Sequence, residues 1–128
     1  MRRAMLHWLR IFRRGHAKPN RTALLNEGLG LAMDWGENWH APIQERLLQR
    51  HPRLQRSELD ELNATCQQAM SFGHHTVHAM VRDQGANVGH DGFAPLLLAM
   101  HPWVSAENSA RLFSQSLYYA SKAGGPAR

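Results

Sequence analysis

An all-α fold is predicted for this 128-residue chain, a compact bundle of four to five helices with an extra basic amphipathic helix at the N-terminus. Apolar residues recur at the helical period in several segments, the longest covering about residues 57–83. Breakers and caps cluster between those segments, in "GHAKPN", "HPR", "DQGANVGHDG" and "HPW". Nothing alternates with period two for long enough to suggest a sheet.

The first element is "MRRAMLHWLRIFRR", a helix over about 2–14. Wound at 100° per residue, Met1, Ala4, Met5, Trp8, Leu9, Ile11 and Phe12 fall within an arc of roughly 160°. The five arginines and His7 take the other side, and only Leu6 strays. Charge follows the same division. Residues 1–22 hold seven basic side chains and no acid, whereas the remainder holds eight basic and ten acidic ones, so the net +5 hides a basic arm on a slightly acidic body. Gly15, Pro19 and Asn20 then form a hinge, giving an arm and hinge over 1–20, one helical domain over 21–123 and a disordered tail over 124–128.

Asn20 or Thr22 caps a second helix over about 22–39, with Leu24, Leu25, Leu29, Leu31, Ala32, Trp35 and Trp39 on its apolar face. Gly28, Ala32 and Gly36 recur every four residues there, which predicts close approach of another helix. Pro42 suits the entry of a short helix over 43–50, stopped by His51 and Pro52. Ser57 with Asp60 approximates a capping box at the head of the 57–83 helix, whose stripe is Leu59, Leu62, Cys66, Ala69, Met70, Gly73, Val77 and Met80. "DQGANVGHDG" reads as a loop. "PLLLAM" reads as a wholly apolar helix over 95–101, expected deep in the core. Ser105 caps a last helix over 106–122, with Leu112, Phe113, Leu117 and Ala120 inward.

Composition limits the chemistry. Cys66 is the only cysteine, so neither an intramolecular disulfide nor a cysteine-based zinc framework is available. No apolar run reaches the roughly 18 residues of a membrane span, and the start lacks the apolar centre of a secretory signal. A cytoplasmic protein, peripheral to a membrane if it meets one, is the expectation.

Three motifs invite a site. "SFGHHTVHAM" holds His74, His75 and His78; the first and last, four apart, share a helix flank and can meet one metal ion, while His75 points to water. Two imidazoles are half a zinc site, and His40, His90, Asp91 and His101 are the candidates for a third ligand. "ENWH" matches the Glu-x-x-His element of di-iron bundles, but it occurs once and Glu37 falls opposite the apolar stripe. The pair His90-Asp91 matches the dyad of the HD-type phosphohydrolases, yet it sits in a glycine-rich loop with no later Asp. Asp91 therefore reads as a turn or capping residue. Cys66 lies on the apolar stripe, where a buried thiol is inert, and no nucleophile elbow or phosphate loop appears.

The expected function is a small, non-enzymatic adaptor or regulatory module. It would dock to a partner protein or an anionic membrane surface through Arg2, Arg3, Trp8, Arg10, Phe12, Arg13 and Arg14. Nucleic acid is the weaker alternative partner for the same charges, and a homo-oligomer stays open. No cofactor is expected on this reading. The alternative is a histidine-based metal protein, centred on His74 and His78 and taking Zn or another divalent transition metal.

Overall fold

The structure, a computed structural model, describes residues 19–34 and 38–123. The expected 2–14 helix and its docking residues, the hinge up to Lys18, Trp35 to Glu37 and the tail 124–128 lie outside the described residues. Among the described residues the protein is all-helical: α1 (Arg21–Ala32), α2 (Gln44–Arg50), α3 (Arg56–Gln84), a 3-10 turn (Gly85–Asn87), α4 (His90–Met100) and α5 (Ala106–Ala123). No strand occurs among them. No helix among the described residues is long and apolar enough to cross a membrane.

α3 is the spine. Its 29 residues extend about 43 Å, and α1, α2, α4 and α5 all pack on it, with α5 and α1 the principal neighbours. The eight stripe residues from Leu59 to Met80 are all buried, as their spacing requires. The helix begins slightly earlier than predicted. Gln55, not Ser57, is the N-cap, and its N–H donates to the Glu58 carboxylate at 3.0 Å, so Glu58 rather than Asp60 closes the box.

α1 is capped by Asn20, whose Oδ1 accepts from Ala23 N–H at 2.8 Å. It stops at Ala32 instead of reaching Trp39. Side chains from elsewhere take the carbonyls of its last turn: Arg46 donates to Leu31 O at 2.8 Å and Gln115 Nε2 to Met33 O at 2.6 Å. The chain then turns back, with His40 N–H donating to Ala32 O at 2.8 Å. Helix termination is thus a tertiary event, which periodicity cannot register. At the level of Asn26, α1 is tied to the α4–α5 junction. Asn26 Nδ2 donates to Trp103 O, its Oδ1 accepts from Ser105 N–H, and Asn108 Nδ2 donates to Asn26 O, all within 2.9 Å.

Two glycines allow the closest packing. A Cβ on Gly28 would lie 2.7 Å from Ile43 Cδ1 and 3.0 Å from Cys66 Sγ, while one on Gly73 would lie 2.7 and 2.8 Å from Leu112 Cδ2 and Cγ. Gly73→Ala is therefore expected to destabilise the protein by up to about 2 kcal/mol. The overlap costs about 1–3 kcal/mol against a helix-propensity gain of about 1 kcal/mol. Denaturant unfolding measures it, and in a Leu112→Ala background the added cost of Gly73→Ala should be smaller, because the overlapped atoms are gone.

The main correction concerns α4. It starts at His90, five residues before Pro95, so "GHDG" is its N-cap and first turn rather than loop. It is also peripheral, not deep in the core. Only Phe93 and Leu97, four apart, are buried, while Leu96, Leu98 and Met100 are 47%, 41% and 62% exposed. An all-apolar segment has no polar face to mark its outside, so composition alone could not orient it.

Candidate functional site

The side chains with the most chemistry gather where the Asn38–Ile43 connection crosses α3. Asn63, Gln67, His74 and His78 follow one another along a flank of α3 at helical spacing, beside the buried stripe. Asn63 and Gln67 hold the crossing chain: Ile43 N–H donates to Asn63 Oδ1 at 3.1 Å, and Gln67 Nε2 donates to Ala41 O at 3.1 Å. His40, at the apex, adopts φ 67°. That left-handed conformation is uncommon for a residue with a side chain, although His tolerates it better than most.

The turn aims Trp39 at His74. The two rings meet edge-on with centroids 4.7 Å apart, Tyr119 of α5 packs on the indole at 4.4 Å, and His40 lies 5.4 Å from it on its own chain. Indole Nε1 donates to Gln115 Oε1 at 3.0 Å, and the same buried Gln115 donates to Met33 O. One amide therefore satisfies both the end of α1 and the indole above the histidines. His78, one turn along, is exposed and its ring centroid lies 5.6 Å from that of His74. His75 is exposed on another side of the helix.

Burial pushes His74 down to about 4 from the ordinary 6.5, aided by the neighbouring His78, His40 and His75. An unfolded chain takes up this proton near pH 6.5 and the folded one only near pH 4. Stability should therefore fall as pH drops through that window, with no further loss from this group below it. Because the ring is only half-buried, solvent screening reduces the effect to about 1–2 kcal/mol. Denaturant midpoints from pH 7 to 4, in chelator, for the protein and for His74→Gln check this; the variant should lose part of the slope.

The other motifs resolve into structure. His90 Nε2 lies 2.8 Å from Ser109 Oγ, and Ser109 is buried, which ties α4 to α5 and keeps the hydroxyl from solvent. Asp91 is exposed in the first turn of α4, where its charge suits the helix dipole. Burial pushes the Cys66 thiol up to about 12 against a weaker pull from Arg21, and its Sγ donates to Leu25 O at 3.3 Å. Glu27 is raised by burial but held below its ordinary value by hydrogen bonds from His51 and Arg50, at 2.7 and 3.1 Å.

Among the described residues no group of three His, Cys, Asp or Glu is arranged to hold a metal ion. His74 and His78 are brought together, whereas His90 and His101 are engaged with α5 and Phe72. Sequence reasoning missed Trp39 and Gln115 as site residues. The available signal was Gln115 itself, a polar residue three after Leu112 and four before Tyr119 on the inward face of α5. No family model, curated protein sequence or solved structure matches the chain.

Proposed function

We propose that the protein is a small non-enzymatic adaptor or regulatory module that docks through its basic, amphipathic N-terminal segment. The observation that carries this reading is the segregation of seven basic side chains and an apolar arc into residues 1–22, away from all ten acids. Apolar burial and charge attraction act together when such a segment meets an anionic membrane surface. A partner protein with an acidic-rimmed apolar groove would use the same residues, Trp8 and Phe12 as anchors and the arginines at the edge. A cytoplasmic protein recruited to a surface accords with it.

The rest of the chain supports a scaffold role. Core residues come from every described α-helix, from Leu24 in α1 to Ala120 in α5, so those helices bury one another. The test is removal of residues 1–19. The truncated chain should keep its melting transition and lose co-sedimentation with phosphatidylglycerol vesicles, which the full chain shows in a salt-dependent manner. Unfolding of the truncated chain would make the segment part of the core and overturn the proposal. Binding to neither vesicles nor any protein captured specifically by residues 1–19 would also overturn it.

A further inference from the structure

We propose that His74 and His78 form a two-imidazole site for an exchangeable divalent transition-metal ion, walled by Trp39. The geometry is the argument. A metal about 2.0–2.1 Å from one nitrogen of each ring, at a near-tetrahedral angle, places two imidazole centroids about 5 Å apart. The centroids of His74 and His78 are 5.6 Å apart with planes inclined by 62°. The difference is small enough for a modest change in side-chain torsions to close.

His74 is also held in place. Trp39 and Tyr119 flank its ring at 4.7 and 5.6 Å, and Trp39 is itself fixed by Gln115. A ligand ordered before the metal arrives loses less side-chain entropy on binding than a free surface histidine. Its partner His78 is exposed, so an ion can enter from solvent. Neither ring takes part in an ion pair among the described residues.

The donor set selects the ion. Two neutral nitrogens suit copper, nickel and zinc, and copper binds most tightly of these by the usual order. Magnesium and calcium require oxygen donors and are excluded from it. With no third protein ligand placed among the described residues, water completes the coordination sphere. The site is accordingly labile, suited to exchange rather than to holding the fold together.

The test uses the full chain, made without an affinity tag, stripped with chelator and titrated with Cu2+. Tryptophan emission should fall and saturate near one equivalent, because a paramagnetic ion would sit beside Trp39. His74→Gln with His78→Gln should weaken the titration at least tenfold while the melting transition stays cooperative, and His75→Ala should leave it unchanged. Trp39→Phe should remove most of the emission change while calorimetry still records binding. A titration unaltered in the double variant, or lost in His75→Ala, overturns the proposal. An independent measurement needs no variant: in NMR spectra of the unaltered protein, substoichiometric Cu2+ should broaden the His74 and His78 imidazole signals first. Broadening that begins at His51, His90 or His101 instead overturns it.

Discussion

Phe93→Ala is expected to lower the unfolding free energy by about 3–5 kcal/mol, the range for truncating a fully buried aromatic ring. Phe93 has no exposed surface and packs on Phe113 at a centroid distance of 5.5 Å. Few other contacts could compensate, because α4 buries only Phe93 and Leu97 of its side chains. The loss should therefore be partly local. Hydrogen exchange in α4 should accelerate more than in α3, whose stripe is anchored at eight positions. Leu96→Ala, on the exposed flank of the same helix, should change stability by less than about 0.5 kcal/mol. Chemical denaturation and amide exchange on the two variants measure the contrast. Equal losses would mean that α4 is covered on both sides.

Gln115→Ala should cost about 2–4 kcal/mol and disturb the histidine flank without touching a histidine. Its amide donates to Met33 O at 2.6 Å and accepts from Trp39 Nε1 at 3.0 Å, and both Gln115 and Met33 are buried. Deleting the side chain leaves the buried Met33 carbonyl without its partner, at about 1–3 kcal/mol, and the indole N–H of the only partly buried Trp39, at about 1 kcal/mol. Trp39 would then be free to leave His74. The expected signatures are a change in tryptophan emission and an upward shift of the His74 pKa toward its ordinary value as solvent reaches the ring. Gln115→Glu separates the two bonds. It keeps an acceptor for the indole, removes the donor to Met33 O and places a charge in a buried position, so it should destabilise at least as much as alanine.

Much of the scaffold was legible. The stripe from Leu59 to Met80 matched the buried face of α3 residue for residue, because a long helix with one polar and one apolar side has only one way to face a core. Ser105 is readable as a cap from residue type and position, and Asn20 as one of two candidates with Thr22, between which the structure decides for Asn20. Asn20 Oδ1 accepts from Ala23 N–H and Ser105 Oγ from Asn108 N–H. Periodicity also separated the three histidines, leaving His75 exposed and His74 half-buried.

The misreadings share one cause. The apolar pattern of α1 runs on to Trp39 in the sequence, but Arg46 and Gln115 cap its carbonyls at Leu31 and Met33, and both lie far along the chain from the bonds they make. "PLLLAM" carries no polar residue to mark an outer face, so its peripheral place depends on what α3 and α5 leave uncovered. Neither fact is present in a local window.

The sequence by itself determined the helical class, the spine helix with its inward face, the isolation of basic charge in residues 1–22 and the pairing of His74 with His78 on one flank. These are local properties, set by spacing along one helix or by counting charges. Only the tertiary structure decided where α1 ends, that α4 lies at the periphery, and that Trp39 and Tyr119 flank His74. Each of those depends on side chains distant in sequence meeting a backbone group or ring, and such meetings follow from packing rather than from periodicity.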